Sequence, residues 1–142
     1  MFNKIFIIVE AGVNHNGNIK NAFKLIDVAK NAGADAIKFQ SFIAEDEISR
    51  FAKKANYQKV SKKDNQSQLE MVKKLELTFS QQILLMKYCK QKKIQFISSP
   101  FDVSSVKFLY KQKLNTIKIP SSEIDNVPYL EEISKKFKNI IL

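Results

Sequence analysis

Two lysines interrupt short apolar segments, and their placement is the clearest chemical signal in the sequence. Lys38 lies within residues 36–40, and Lys118 lies within residues 116–119. Both segments have the length and apolar character of buried strands, in which alternate side chains point to opposite faces of a sheet. A lysine inside such a strand is costly unless an anion or a carboxylate meets it. The two lysines therefore indicate either buried ion pairs or a binding site for an anion.

Further polar side chains follow the same kind of apolar segment along the chain. Glu10 comes directly after the apolar residues 5–9 and is expected to close the first strand. In a barrel of parallel strands, the carboxyl ends of the strands form the catalytic face. Lysines and hydroxyl groups gathered there suit a phosphate and a carboxylate, and a glutamate can pair with a lysine, hold sugar hydroxyls or orient a water molecule. The other polar residues at predicted strand ends are Gln40, Ser98, Ser99, Ser121, Ser122 and Glu123.

The lysines leave three interpretations open. Lys38 and Lys118 could form structural ion pairs with Glu10 and Glu123, which is the preferred explanation for a single buried lysine. Two repeats of the same arrangement on neighbouring strands favour an anion-binding site instead. The rival chemistry is a lysine that forms a Schiff base with a carbonyl substrate, as in an aldolase.

Short apolar segments alternate along the chain with segments of helical periodicity. Apolar strands joined by helices form a parallel sheet covered by helices, so the candidates are a doubly wound sheet and a (β/α) barrel. The first strand is not followed by a glycine-rich phosphate turn, and the chain has only 3 glycines, which disfavours a dinucleotide or P-loop site. Strands are predicted at residues 5–9, 36–40, 95–99, 116–119 and 139–142, a further helix at 68–75, and helix N-caps at Ser80, Asp102 and Asn126.

The composition favours one globular domain and limits the possible partners. The chain has 142 residues, of which 44% are hydrophobic and 27% are charged, and its net charge is +10. Of its 24 basic residues only Arg50 is an arginine, whereas proteins that read nucleic acids rely on arginine for forked contacts. We therefore expect no nucleic-acid partner, although the positive charge could draw in an anionic small molecule.

Cysteine use and the apolar segments indicate the compartment. No apolar run approaches the ~20 residues that cross a bilayer, and Glu10 interrupts residues 5–9 too early for a signal peptide. The single cysteine, Cys89, fits a reducing compartment and is expected to pack in the core. We therefore expect a cytoplasmic protein without a membrane partner. The lysine pairs at 53–54 and 62–63 are expected to lie in solvent.

The sequence resembles the sialic acid (nonulosonate) synthase family in five motifs, which follow in the family's order over essentially the whole chain. Motifs in such a series are far more specific than a single pattern. In the last motif, Ser122 stands where the family usually has a glycine. The motifs are Val-Glu-Ala-Gly-Val-Asn-His-Asn-Gly at 9–17, Lys-Phe-Gln-Ser-Phe at 38–42, the segment at 67–77 that begins Ser-Gln-Leu-Glu-Met, Ser-Ser-Pro-Phe-Asp at 98–102, and Lys-Ile-Pro-Ser-Ser-Glu at 118–123.

The resemblance implies an α/β fold, the (β/α)8 barrel of the TIM-barrel type. Residues 1–142 would be its N-terminal part, with about the first five strands but without the C-terminal half of the barrel and the antifreeze-like domain. The family condenses phosphoenolpyruvate with an N-acetylated hexosamine, either N-acetylmannosamine or a 2,4-diacetamido relative. The products are a nonulosonic (sialic or legionaminic) acid and phosphate. The full-length protein would form a homodimer, and this chain alone is expected to be inactive.

The family also uses a divalent metal, Mn²⁺ or Mg²⁺, which polarises the sugar aldehyde. The usual histidine ligands lie in later strands and are absent from this chain, whose single histidine is His15. One histidine does not build that site, so no metal ligand is predicted. A different possibility is that the chain works as a truncated, non-catalytic module for anion binding or assembly.

By position in these motifs, the resemblance assigns residues to phosphoenolpyruvate. Lys118 and Ser121 would hold the phosphate group. Lys38 and Ser99 would hold the carboxylate. This assignment agrees with the charge argument, which did not by itself identify the reaction.

The resemblance also assigns residues to the sugar and to the reacting carbons. Gln40 and Glu123 would contact the sugar. Glu10 would lie near the reacting carbons and the attacking water. Asn14 and His15 would orient the loop that follows the first strand.

Overall fold

Parallel strands form one sheet in the computed structural model, which describes residues 5–58 and 66–142. The 5 strands lie side by side in the order of the sequence. That order is the one a (β/α) barrel requires, whereas a doubly wound sheet reverses its direction partway. The chain therefore has the predicted α/β fold, as part of a TIM-barrel type. The strands are β1 (Ile8–Gly12), β2 (Ala36–Ser41), β3 (Gln95–Pro100), β4 (Thr116–Lys118) and β5 (Asn139–Ile141).

Helices connect the strands, and side chains cap the free backbone N–H groups at several helix starts. Asp102 and Asn126 are N-caps, as predicted. The predicted cap at Ser80 is wrong, because Thr78 and Gln81 form a reciprocal capping box two residues earlier. The helices are α1 (Ile19–Asn31), α2 (Ala44–Glu47), α3 (Gln68–Lys73), α4 (Phe79–Lys92), α5 (Val103–Lys111) and α6 (Val127–Ser134), with short 3₁₀ helices at Asn56–Gln58 and Ser121–Glu123.

The first strand differs from the prediction of residues 5–9. β1 begins at Ile8, and the described residues before it are exposed. The reason is that Ile7 is bonded to the turn before β2: its N–H donates to the Asp35 carboxylate at 3.0 Å, and its carbonyl accepts from the Asp35 N–H at 3.0 Å. The strand ladder therefore starts later, and Glu10 lies in the middle of β1 instead of closing it.

The register of the strands divides the sheet into two sides, because residues that lie side by side on parallel strands point to the same face. Helices cover one side, where Ile37, Phe39 and Ile117 are buried in two apolar clusters. The first cluster packs α1 and α4 on the early strands, and the second packs α5 and α6 on β4. The opposite, inner side carries the charged residues. No helix among the described residues combines the length and the apolar character that crossing a membrane requires.

Two predictions about solvent exposure have different outcomes. Cys89 packs in the first apolar cluster, as predicted, and burial raises its pKa to about 12. Lys54 is buried, so the prediction that it lies in solvent is wrong. Its ammonium donates a hydrogen bond to Gln66 Oε1 at 2.8 Å, across the long connection between β2 and α3. Lys53 is exposed, and the predicted pair at 62–63 lies outside the described residues.

Candidate functional site

The predicted site residues of the first three strands share the inner side of the sheet. Glu10 lies beside Lys38, and Gln40 lies beside Ser99, as register partners on neighbouring strands. Phe39, between Lys38 and Gln40, points the other way into the apolar cluster. These polar residues therefore converge toward the carboxyl ends of β1, β2 and β3.

The register also fixes the side to which Lys118 points. Ser98 lies beside Ile117, and Ile117 is buried among the helices. Because side chains alternate along a strand, Lys118 points to the inner side, where Lys38 lies. Two cationic groups thus share one face of the sheet, an arrangement that an anion site between β2 and β4 requires.

Lys38 is already engaged by two protein groups. Its ammonium forms an ion pair with Glu10 Oε2 and donates a hydrogen bond to Ser99 Oγ at 3.3 Å. The Lys38 side chain is 14% exposed, whereas that of Glu10 is 51% exposed. A half-exposed carboxylate keeps much of its hydration, so we expect this ion pair to open at modest cost. The pair proposed from the sequence is therefore formed at β1 and β2.

A bulge in β1 makes room for the Glu10 carboxylate. The register with β2 shifts between Glu10 and Gly12, and Gly12 has a φ of +50°, which favours glycine. A Cβ atom at Gly12 would lie 3.3 Å from Glu10 Oε1. Bulges often re-aim side chains next to active sites. The sequence analysis did not identify this bulge, although a glycine two residues after Glu10 was the available signal.

The end of β4 differs from the surroundings of Lys38, because none of the described side chains engages its lysine. Among the described residues, none forms an ion pair or a hydrogen bond with the Lys118 side chain. The pair with Glu123 considered from the sequence is not formed, because Glu123 Oε2 accepts a hydrogen bond from Asn126 Nδ2 at 2.7 Å. Ser121 is exposed at the start of the 3₁₀ helix. Ser122 does not have a positive φ, so a serine is accommodated there without the strain that only glycine would avoid.

The loop after β1 is held by a buried histidine and a close backbone contact. His15 is 1% exposed, and its Nδ1 accepts a hydrogen bond from the Gly17 N–H at 3.0 Å. Burial lowers the pKa of His15, and a hydrogen bond with the Gly12 backbone only partly opposes this shift. Gly17 has a φ of +70°, and a Cβ atom there would lie 2.2 Å from the Lys74 carbonyl oxygen. Asn14 is exposed beside His15.

The described residues do not fit the divalent metal that the resemblance implies. Within residues 5–58 and 66–142, no group of three or more histidine, cysteine, aspartate or glutamate side chains is arranged to hold a metal ion. The Nδ1 atom of His15 is occupied by the Gly17 N–H, and its ring is buried. No metal-dependent step is therefore assigned to residues of this chain.

An acidic cavity of about 430 Å³ opens beside Glu123, and the sequence analysis did not identify it. Burial raises the pKa of Glu47 at its wall, and the neighbouring carboxylates of Asp102 and Glu123 raise it further. The acidic run at 45–47, separated from the end of β2 by three residues, was the available signal. The cavity is lined by Asp46, Glu47, Asp102, Glu123, Asn126 and Tyr129.

The parallel strands lie in sequential order and helices cover their outer side. Charged residues lie on the inner side, toward the carboxyl ends of the strands. This arrangement defines the (β/α)-barrel class of enzymes. Within that class the chain belongs to the NeuB family, whose model matches residues 25–142. The family predicted from the motifs is thereby confirmed.

Curated relatives and solved structures cover nearly the whole chain. It is 50% identical over 139 residues to an N,N'-diacetyllegionaminic acid synthase of Campylobacter jejuni, a match that covers 98% of this chain and 42% of the relative. It is 43% identical over 137 residues to the enzyme of the same name from Legionella pneumophila, covering 96% of this chain and 38% of that protein. The chain thus spans about two-fifths of the length of the curated relatives it matches.

The fold agrees with a solved structure of the same family. The crystal structure of an N-acetylneuraminic acid synthetase from Leptospira borgpetersenii, in complex with citrate, superposes with a TM-score of 0.78 at 34% identity. The match covers 94% of this chain and 42% of that protein. The partial barrel predicted from the sequence is therefore the observed fold.

Proposed function

We propose that this chain is the phosphoenolpyruvate-binding part of a nonulosonic acid synthase. C3 of phosphoenolpyruvate attacks the aldehyde carbon of an open-chain N-acetylated hexosamine and forms the new carbon–carbon bond. Water then adds to C2, and phosphate leaves with cleavage of its bond to C2. Membership of the NeuB family supports this reaction. The observation that carries the proposal is that Lys38 and Lys118 point to the same side of the sheet.

Lys38 and Ser99 would hold the carboxylate of phosphoenolpyruvate. In the free protein the Ser99 hydroxyl accepts a hydrogen bond from Lys38 at 3.3 Å, and it can turn its own proton toward a ligand oxygen. An incoming carboxylate takes the place of Glu10 beside the ammonium. The ligand then gains a charge-assisted hydrogen bond at a group that is mostly desolvated before binding.

Lys118 and Ser121 would hold the phosphate. The half-buried Lys118 ammonium has no partner among the described residues, and an anion that replaces its lost hydration stabilises it. Negative charge on the leaving phosphate grows as its bond to C2 breaks. Lys118 would therefore bind more strongly in that transition state than in the ground state, which lowers the barrier.

Glu10, Gln40 and Glu123 would act on the water and the sugar. The Glu10 carboxylate, displaced from Lys38, can remove a proton from the water that attacks C2. Gln40 on the inner side would donate hydrogen bonds to the sugar and accept them from it, and Glu123 at the acidic cavity would accept hydrogen bonds from sugar hydroxyls. The Mn²⁺ or Mg²⁺ implied by the resemblance would polarise the aldehyde, and no residue of this chain is assigned to hold it.

The acceptor sugar we propose is a 2,4-diacetamido relative of N-acetylmannosamine, the precursor class for a legionaminic acid. Two relatives that are 50% and 43% identical carry the name of an N,N'-diacetyllegionaminic acid synthase. A direct comparison of this sugar with N-acetylmannosamine as acceptor tests the choice. We expect a higher kcat/KM with the 2,4-diacetamido sugar, and a higher value with N-acetylmannosamine would contradict the proposal.

The homodimer and the cytoplasmic location stay predictions. The homodimer comes from the resemblance, and light scattering of the full-length product of the encoding reading frame tests it. The location comes from the cysteine use and the apolar segments of the sequence, and fractionation of the source cells tests it.

The function is tested by phosphate release from the full-length product, supplied with phosphoenolpyruvate, Mn²⁺ or Mg²⁺, and each sugar. Lys118→Ala should lower kcat/KM by about 10²-fold or more, the loss typical for removal of a group that stabilises transition-state charge. Lys111→Ala, at an exposed lysine of α5, is the matched control and should leave the rate unchanged. Unchanged kinetics in Lys118→Ala would rule out the phosphate-binding role.

Two other outcomes would point to the alternative functions. A lysine adduct trapped by borohydride would support a Schiff-base aldolase. Binding of phosphoenolpyruvate without release of phosphate under any of these conditions would support a non-catalytic anion-binding module.

A further inference from the structure

Three buried polar side chains form a hydrogen-bonded group on the helix-covered side of the sheet, and no step of the proposed reaction uses them. Ser41 at the end of β2 and Ser98 on β3 are each 0% exposed, and Gln82 on α4 is 1% exposed. Ser41 Oγ lies 2.5 Å from Gln82 Oε1 and 2.6 Å from Ser98 Oγ. These three residues are referred to below as the serine–glutamine set.

The hydrogen bonds of the set can run in only one direction. Gln82 Nε2 donates to the Leu77 carbonyl at 3.0 Å, so Gln82 Oε1 faces Ser41 and can only accept. Ser41 therefore donates its single hydroxyl proton to Gln82. Ser98 then donates to Ser41, with the Phe39 carbonyl at 3.3 Å as its second acceptor. Each side chain of the set has a partner, and a satisfied buried network of this kind favours a single arrangement.

The set lies directly behind two predicted ligand contacts. Ser41 follows Gln40 in β2, and Ser98 precedes Ser99 in β3. Gln40 and Ser99 are register partners, and they point inward because neighbouring side chains alternate between faces. The Phe101 N–H also donates to the Ser41 carbonyl at 3.0 Å, which extends the contact beyond the strand ends. The relative position of Gln40 and Ser99 therefore depends on how β2 is held against β3 at this point.

We propose that the serine–glutamine set positions Gln40 and Ser99 for the ligand by holding the end of β2 against β3. The inference rests on the proposed function, in which these two residues contact the sugar and the carboxylate. Apolar side chains could fill the same volume without the cost of burying polar groups. Hydrogen bonds, in contrast, fix one distance and one orientation between the strand ends. The residues of the set touch no ligand themselves, so they are positioning residues.

The position of the set predicts a selective effect on binding. It lies behind the carboxylate end of the site, whereas Lys118 and Ser121 belong to β4 and the 3₁₀ helix after it. Loss of the set should therefore weaken binding of phosphoenolpyruvate and leave binding of inorganic phosphate unchanged. A general loss of stability would not distinguish the two anions.

The variant that tests this is the double substitution Ser41→Ala with Gln82→Met in the full-length product. Ser41→Ala alone leaves the Gln82 carbonyl buried without a donor, which is destabilising, whereas the double substitution removes both partners of that hydrogen bond. The double substitution also removes the donor to the Leu77 carbonyl, so urea denaturation of each variant gives its free energy of unfolding, and positioning is judged from the difference between the two anions. Leu85→Val, at a fully buried residue one turn along α4, is the control for a packing defect that leaves the hydrogen bonds intact.

Calorimetric titrations with phosphoenolpyruvate and with inorganic phosphate give the first result. In the double variant we expect phosphoenolpyruvate to bind about 10-fold more weakly, as misplacement of contacts by a fraction of an ångström can produce, with phosphate affinity unchanged. Leu85→Val should change neither affinity. Equal affinities of the wild type and the double variant for phosphoenolpyruvate would overturn the proposal.

Amide hydrogen exchange gives a second result that needs no ligand. The amides of Gln40 and Ser99 should exchange about 10-fold faster in the double variant, because the strand ends open more often, while that of Ile117 should not change. If the wild type binds neither anion, the proposed function fails, and the exchange rates still decide whether the set holds the strand ends. Unchanged exchange at Gln40 and Ser99 in a folded double variant would overturn the inference.

Discussion

The two lysines of the candidate site lie in surroundings that are built in different ways. Lys38 is held by Glu10 and Ser99, and the strands that carry it are fixed from behind by a buried polar network. Lys118 lies at the end of a short strand, and among residues 5–58 and 66–142 its ammonium has no hydrogen-bonding or ion-pair partner. Ser121, its predicted companion, is exposed.

The difference concerns where the counter-charge comes from. At Lys38 the protein supplies its own carboxylate, so a ligand must displace Glu10. The net binding free energy there is only the difference between two similar contacts of the ammonium, one with the ligand and one with Glu10. At Lys118 a ligand anion supplies the whole counter-charge, so the full free energy of its contact with the ammonium contributes to binding. We infer that the phosphate end contributes more to affinity, whereas the carboxylate end contributes geometry and a displaced general base.

The largest expected effect comes from removing the charge of Glu10. Glu10→Gln removes the group that competes for Lys38 and also the proposed base, so phosphoenolpyruvate should bind about 10-fold more tightly while kcat falls by about 10²-fold or more. Phosphate release and calorimetric titration measure the two effects.

Glu123→Gln is the matched control at the other end of the site. Glu123 bonds to Asn126 and not to Lys118, so this substitution should change phosphoenolpyruvate affinity by less than about 2-fold, since screened charges that do not pair contribute little. The same gain in affinity from both substitutions would show that the two ends are not built differently.

A smaller effect, on stability, is expected at the loop that supports the Glu10 end. Gly17→Ala would place a Cβ atom 2.2 Å from the Lys74 carbonyl oxygen, at a φ of +70°. Backbone strain and overpacking together should lower the free energy of unfolding by about 3 kcal/mol. Urea denaturation of the full-length product, followed by circular dichroism, measures the change.

Gly33→Ala separates the effect of backbone strain from the effect of overpacking. Gly33 also has a positive φ, of +81°, but no atom lies within 4 Å of a Cβ built there. Its substitution should cost only about 1 kcal/mol, from backbone strain alone. If both alanine variants lose the same stability, the contact between the loop and Lys74 does not contribute to the rigidity of this end.

Features that depend on a few neighbouring residues could be predicted from the sequence. The caps at Asp102 and Asn126 follow from local side-chain chemistry, and the alternation in residues 36–40 placed Lys38 and Gln40 on one face. The motifs predicted the family and the barrel, which the family model confirms. The roles of the individual site residues stay predictions.

Features that depend on pairing between distant segments could not be predicted. Residues 5–9 are uniformly apolar, so the local pattern does not show where the ladder with β2 begins; the hydrogen bonds of Ile7 to Asp35 and Ala36 determine it. Ser98 was grouped with the polar site residues, but the register turns it to the helix side, where it bonds to Ser41. Lys54 is buried through a contact with Gln66, 12 residues further along the chain. In each case a long-range contact overrides the local pattern.

The smallest expected effect is a pH dependence of stability that comes from the loop after β1. Burial lowers the pKa of His15 below 6.5 in the folded protein. Between the folded pKa and 6.5 the His15 side chain binds more protons in the unfolded chain than in the folded chain, so its contribution to the free energy of unfolding falls as the pH decreases through this window and is constant above it. His15→Asn keeps an acceptor for the Gly17 N–H but does not titrate. Urea midpoints measured from about pH 7.5 to about pH 5.5 should decrease in the wild type and change less in the variant.

The carboxylates of Asp27, Glu45 and Glu70, whose pKa values are lowered by their partners, titrate below this window. Equal slopes in the two proteins would show that His15 is protonated as easily in the fold as in the unfolded chain, and that this loop is less firmly closed than its hydrogen bond indicates.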